Sequence, residues 1–278
     1  MLQSLNSAVS GMQQYQEEMD VIGNNVANVN TTAFKSARTD FADTFSNTLR
    51  SASGGQASMQ IGTGVTTTAT QSNYGQGTLS QTGVQTDLAV SGDGFFIVKD
   101  TTNSQVYATR AGDFRVDSSG YLVTTSGFRV QGYSGSDLSS IGDIQIDGTQ
   151  RPATSDSSAT MTSYSIGQDG KVVVSLSDGT EYTRGQVLLQ GFLDDQSLTK
   201  AGGNLYSGLA TAGPVAATPS APGTNGLGKI EAGELEQSNV DLSSEFANLI
   251  TTQRAFEANS RIITTSDEML QTLVNLKR

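Results

Sequence analysis

DLSSEFANLITTQRAFEANSRIITTSDEMLQTLVNLKR, residues 241–278, decides how the rest of the chain is read. Leu242, Leu249, Phe256, Ile263 and Leu270 recur at intervals of seven without a break, the spacing that returns a side chain to one side of a helix every two turns. The companion column Phe246, Gln253, Ser260, Asp267 and Val274 is apolar at its ends and polar in its middle. Asp241, or Ser238 before it, is placed to cap the start, and Lys277 and Arg278 oppose the helix dipole at the end. At about 1.5 Å per residue the helix is on the order of 50 Å long. Its mixed column predicts one edge in a dry seam and another facing water or a polar lumen.

The other end of the chain repeats the theme. Met1, Leu5, Ala8, Met12, Tyr15, Met19, Ile22 and Val26 alternate steps of four and three, again a helix that packs along a seam. Gly11 and Gly23 are weak points in it, and Gly23 followed by Asn24 predicts the helix C-terminus, because both residues tolerate left-handed backbone. DVIGNNVANVNTTAFK (20–35) then crowds asparagines into the exit.

Between these ends the grammar is that of strands. Phe95–Val98, Tyr107–Arg110, Phe114–Val116, Tyr121–Val123, Phe128–Val130, Val172–Leu176 and Tyr182–Leu193 are short apolar or alternating runs. DSSG (117–120), QDG (168–170) and SDG (177–179) are hairpin signals. No helical segments alternate with the strands, so a parallel α/β sheet is not expected. The fold class predicted is α+β: long N- and C-terminal coiled-coil-type helices packed together, plus a mainly antiparallel β outer domain. Its divisions are 1–30 N-terminal helix, 31–70 hinge and linker arm, 71–235 β domain and 236–278 C-terminal helix. The Gly/Ser/Thr/Pro-rich segments 50–80 and 210–228 read as extended or irregular arms.

Composition narrows the function. A net charge of −11 over 278 residues argues against nucleic acid or an anionic membrane as main partner. Only 15% of residues are charged, and Ser, Thr, Gln, Asn and 31 glycines fill the polar quota, a weakly self-repelling surface that suits packing against copies of itself and equally suits a β-rich extracellular protein with many turns. Cysteine, histidine and tryptophan are absent, which removes disulfides, the usual zinc sites and the His-dependent nucleophile systems. No apolar run approaches the roughly 20 residues that span a bilayer, and the N-terminus lacks the basic and apolar regions of a cleavable signal peptide. Ser197-Leu-Thr-Lys200 matches the S-x-x-K of serine acyl-enzymes but lacks its companion motifs. Asn30-Thr31-Thr32 fits a glycosylation sequon with no secretory context. The Asp-Gly pairs lack calcium-loop spacing, and Asp194-Asp195 are adjacent carboxylates that point apart. No catalytic, metal or cofactor residue is expected. A β-rich enzyme or carbohydrate-binding module with a helical-hairpin cover is the alternative from another class, and a binding adaptor on an export apparatus a third.

SAVSGMQQYQEEMDVIGNNVANVNTTAFKSARTDF near the start, LAVSGDGFFIVKD to FRVQGY in the middle, and SNVDLSSEF to the end together resemble the rod-and-hook axial proteins of the bacterial flagellum. The resemblance implies a structural subunit whose terminal helices pair and line the inner tube of a helical homopolymer, with β domains outside. It implies a hinge at Gly23, Asn24, Asn25, Asn28, Asn30, Ala33 and Phe34, with asparagines supplying unusual backbone angles and side-chain hydrogen bonds. The family often has glycine before the phenylalanine of this motif. Ala33 stands there, so a different local turn is expected if that position needs positive φ. The implied partners are copies of the chain, neighbouring axial proteins (distal rod and hook–filament junction), a hook cap and the export apparatus, with no nucleic acid and no membrane insertion. The implied location is the flagellar hook or basal body, reached without a cleavable signal peptide. The ending IITTSDEMLQTLVNLKR resembles the hook protein of the short form, whereas GQASMQIGTGV (55–65) resembles the distal rod protein. The hook, a curved joint passing torque from rod to filament, is the favoured expectation and the distal rod the alternative.

Overall fold

The computed structural model describes residues 2–50, 58–135, 137–147 and 159–276. Met1, Lys277, Arg278 and the start of the 55–65 stretch lie outside the described residues, as do any expectations placed on them. The chain folds as two compact units: residues 1–29, 35–73 and 240–278 form a helical unit, and residues 30–34 and 74–239 a β unit.

The helical unit pairs α1 (Leu2–Ala27) with α2 (Leu242–Leu276), the latter 35 residues long. The pair is antiparallel: the amide of Asn25 near the end of α1 reaches Glu245 at the start of α2, and Gly11 lies against Asn259 further along. α1 passes its predicted stop. It runs through Gly23 and Asn24 for another turn and closes at Asn28, whose N–H donates to the carbonyls of Asn24 and Asn25. Asn28 Nδ2 also donates to the Asn24 carbonyl at 2.9 Å. Glycine and asparagine permit a stop without imposing one. α2 starts as expected: Asp241 accepts from the Ser243 N–H and the Ser244 hydroxyl. Those two bonds hold its carboxyl below its usual range.

The described residues of 31–70, and those of the 50–80 segment with them, are more regular than a linker arm. Ala37–Asp43 pairs antiparallel with Val65–Ser72, and Ser46–Arg50 with Met59–Gly62. The first of these ribbons packs on α1. Tyr15 meets Phe41 edge to face at 6.1 Å between ring centres, and Thr67 donates to Gln14 and Glu17. The alternating Val65–Ser72 stretch carries the period of a half-buried strand; its threonines made it read as a polar linker. The 210–228 segment holds turns and isolated bridges, as at Phe192 with Pro214.

The β unit reaches beyond the expected 71–235, taking in 30–34 and 236–239. Among its described residues twelve strands join one antiparallel sheet. Its main path runs Met161–Ile166, Lys171–Leu176, Glu181–Val187, Arg129–Ser134, Phe95–Lys99, Val106–Thr109, Leu205–Ser207, Thr199–Gly202. Phe95–Lys99 is a continuous apolar run because it is covered on both faces. Phe96 and Val98 enter the main core with Leu88, Leu122, Val130 and Ile230, while Phe95 and Ile97 enter a second cluster with Ala108, Leu198 and Tyr206. Early and late strands then pair and close the unit on itself, Leu88–Ser91 with Lys229–Ala232 and Leu79–Gln81 with Glu234–Glu236. Tyr107–Arg110 and its fellow runs fall on or beside observed strands, and Gly120, Gly170 and Gly179 take positive φ in the three predicted turns.

Candidate assembly surface and hinge

On α2 the expected column is half covered: Leu249, Phe256, Ile263 and Leu270 are intermediate in burial. Its companions are elsewhere than predicted. Phe246 is exposed by 50% and Val274 by 67%, and Leu242, the first residue of the main column, is exposed as well. The fully buried residues of α2 are Thr252 and Ser266. They belong with Glu245 and Asn259 to a seven-spaced polar column one residue before the predicted one. The reason is the approach of the two helices. A Cβ on Gly11 would stand 2.6 Å from Asn259 Nδ2, so the facing positions hold small or polar side chains and the bulky ones are turned aside. Gly11 serves contact here, where the sequence suggested only weakness.

α1 divides similarly. Ala8 and Ile22 are buried, as are Gly11 and Asn25, while Leu5, Met12, Tyr15 and Met19 are half covered. Further apolar side chains of α2 also face outward: Ile250, Ile262, Met269, Leu273 and Leu276. Their spacing puts Phe246 and Ile250 on one side of the packed column and Ile262, Met269 and Leu276 on the other, while Leu273, seven residues after Ser266, continues that column. A single partner helix therefore leaves two apolar flanks uncovered within this chain.

The hinge residues do different work from one another. Asn25, buried, copies a β-ladder pairing with its side chain: Nδ2 donates to the Ala37 carbonyl at 2.7 Å and Oδ1 accepts the Ala37 N–H at 3.0 Å. Its further bond to Glu245 steadies that carboxylate. Burial nonetheless pushes the Glu245 carboxyl up, with the Asn25 bond opposing and Asp241 adding to the rise. Gly23, Asn24 and Asn30 are exposed. None of these asparagines takes positive φ; the residue that does is Ala33, at 56°. The position is thus left-handed with alanine in place. Ala33 is buried and its N–H donates to the Glu236 carbonyl at 2.8 Å, a bond that offsets the cost of left-handed backbone, about 1–2 kcal/mol. Phe34, buried beside it, carries the Lys200 ammonium over its ring at 5.2 Å.

Sequence reasoning missed the charged pair in the β unit. Arg110 Nη1 lies 3.6 Å from Glu236, with both side chains buried, and Arg110 also donates to the Gly92 carbonyl and stacks over Phe95. Burial lowers the Arg110 pKa while Glu236 and Asp93 pull it back. The partners are far apart in the sequence and no spacing could have joined them. The Glu245, Thr252, Asn259, Ser266 column was visible, had polar residues been tested for the heptad period as apolar ones were. Among the described residues no group of acidic side chains could hold a metal ion, and no helix is long and apolar enough to cross a membrane.

A self-contained β unit together with two long helices that bury only part of their apolar surface defines a structural subunit. Three family models match in chain order: the flagellar basal body rod protein over residues 5–35, the flagellar hook protein FlgE/F/G D1 domain over 89–174 and the flagellar basal body rod FlgEFG C-terminal region over 231–276. The chain is 41% identical over 284 aligned positions to the flagellar basal-body rod protein FlgG of Bacillus subtilis (strain 168), covering 100% of each. It is 37% identical over 285 positions to FlgG of Buchnera aphidicola subsp. Schizaphis graminum, covering 99% of this chain and 100% of that one. Against the flagellar hook protein FlgE of Borreliella burgdorferi identity is 27% over 445 positions, with both chains covered in full. The chain belongs to the flagellar rod and hook axial protein family. It is a structural protein of that axis and not an enzyme.

Proposed function

We propose that the chain is a subunit of the distal rod of the flagellar basal body, polymerising with copies of itself through its terminal helices. The observation that carries this reading is length. The rod relative aligns end to end with this chain in 284 positions at 41% identity, whereas the hook relative needs 445 positions for a chain of 278. The hook expectation rested on the last turns of α2, a region that rod and hook proteins share in one C-terminal family model. The rod reading instead draws on the 55–65 stretch, part of which forms the Met59–Gly62 strand of an exposed ribbon.

Self-assembly is supported by the uncovered flanks of α2. Leu242, Phe246, Ile250, Ile262, Met269 and Val274 are exposed in the single chain, and burying each large apolar side chain against a neighbour yields about 1.5–3 kcal/mol. In the polymer these flanks become coiled-coil-type seams between copies, and the polar column is kept for the partner helix of the same chain. Neighbouring axial proteins and the export apparatus are the further partners of this reading.

The test is deletion of the gene in its host and electron microscopy of purified basal bodies. A rod stopped short of its distal section is expected. A complete rod lacking only a hook would move the assignment to the hook, and intact flagella would overturn the structural role.

A further inference from the structure

Three passages of the β unit lie where the chain crosses to and from the helical unit: residues 30–34, the outgoing 74–78 and the returning 236–239. Within the β unit they are tied to one another through two residues of the returning passage. The Glu236 carbonyl accepts the Ala33 N–H at 2.8 Å, and the Glu236 side chain accepts the Gly77 N–H at 2.8 Å and faces Arg110. Asn239 donates its N–H to the Phe34 carbonyl at 3.4 Å and its side-chain amide to the Gly75 carbonyl at 3.0 Å. From the other side Asn204 Nδ2 donates to the Thr32 carbonyl at 2.6 Å, and Lys200 covers the Phe34 ring. Asn204 itself takes positive φ, at 58°, and its carbonyl accepts the Thr109 hydroxyl at 2.8 Å. Two non-glycine residues held in left-handed backbone thus contribute to one short contact, a conformation that persists only where surrounding bonds hold it.

We propose that Thr31–Phe34 is an intramolecular strap, docked on its own β unit by Asn204, Glu236, Asn239 and Lys200, that stays docked when the terminal helices open. The chain leaves the strap at Lys35 and leaves the returning passage at Val240, immediately after the bonded pair Phe34 and Asn239. α1 enters the strap at its other end, at Asn30, so docking the strap beside the returning passage keeps the roots of α1 and α2 at high effective concentration. The helices then pair again in the register marked by Asn25 with Glu245, not in a slipped one. The left-handed backbone at Ala33 persists because those bonds hold it, where a glycine would adopt the turn without strain. The strap is a property of the single chain and stands apart from the choice between rod and hook.

The chain contains no cysteine, so spin labels report only where they are introduced. Ala27→Cys with Ser243→Cys labels the roots of the helices, and Gln13→Cys with Arg261→Cys labels positions further out. In dilute full-length protein the root pair should give one narrow distance and the outer pair a broad distribution. Ala33→Pro, which removes the donor and the left-handed backbone, should broaden the root distance without changing the melting of the β unit. Asn204→Ala should do the same to a smaller extent and serves as the second variant if Ala33→Pro does not fold. Hydrogen exchange adds an independent reading: the Ala33 amide should exchange at least about tenfold more slowly than the amides of α1. A root distance that is broad in the parent, or narrow in both variants, overturns the proposal, as does an Ala33 amide that exchanges with those of α1.

Discussion

The strand Phe95–Lys99 and the helix α2 are both apolar-rich, and they end up in opposite situations. Four of the five strand residues are fully buried, because side chains on both faces meet cores built by the same chain. In α2 the fully buried residues are a threonine and a serine, four large apolar side chains are half covered, and eight others are exposed. Hydrophobic content alone therefore does not say what will be buried within one chain. What decides is whether the chain itself supplies a cover. The β unit supplies its own by closing early strands against late ones, and the helical unit supplies one face of the two or three that α2 offers.

This contrast can be broken first at its strong end. Phe96→Ala removes a ring packed edge to face on Phe114 at 5.2 Å and should cost the β unit about 3–5 kcal/mol, read from denaturant unfolding. Phe246→Ala, on an aromatic of the same kind, should change the stability of the dilute monomer by no more than about 0.5 kcal/mol. It should nonetheless slow or abolish polymerisation followed by light scattering. If both substitutions destabilise the monomer equally, the distinction between the units fails. Gly112→Ala comes next: a Cβ there collides with the Leu88 carbonyl, and the overpacking should cost about 1–3 kcal/mol in the same unfolding assay.

Smaller effects belong to the start of α2, where two carboxylates pull in opposite directions with pH. Asp241 has its folded pKa depressed, by its bonds to Ser243 and Ser244. Its contribution is present above its unfolded pKa and lost as pH falls through the folded value. Glu245 has its pKa raised by burial, so its contribution is present below the unfolded value and lost as pH rises through the folded one. Asp241→Asn should remove the acid-side loss, and Glu245→Gln the loss on the rising side. Circular dichroism of the helices across mild acid would show Asp241→Asn losing helix only as pH rises and Glu245→Gln losing it only as pH falls. Parallel curves for all three proteins would show that the cap and the Asn25–Glu245 contact carry no weight.

The sequence made the elements legible where one period dominates. The seven-residue column of Leu249, Phe256, Ile263 and Leu270 revealed a long helix, and the Phe95 to Val98 run with its neighbours revealed an antiparallel β unit. What it hid was which neighbour each side chain would find. Phe246 and Val274 read as seam residues because apolar spacing was taken to mean contact, yet close approach at Gly11 and Asn259 selects the polar column. The hinge was legible as a cluster of asparagines but not as a division of labour. Asn25 acts through its side chain as a false strand partner, while the unusual backbone sits on Ala33. The Arg110–Glu236 pair and the strap depend on residues more than a hundred positions apart and leave no local trace.

The central feature of the chain is an α2 left incomplete without its neighbours. Hydrogen exchange of the dilute monomer and of the assembled polymer, compared residue by residue, tests this. The prediction is fast exchange along the outer half of α2 in the monomer, strong protection there in the polymer, and equal protection of Phe95–Lys99 in both. Protection of α2 in the dilute monomer matching that of the Phe95–Lys99 strand would contradict it.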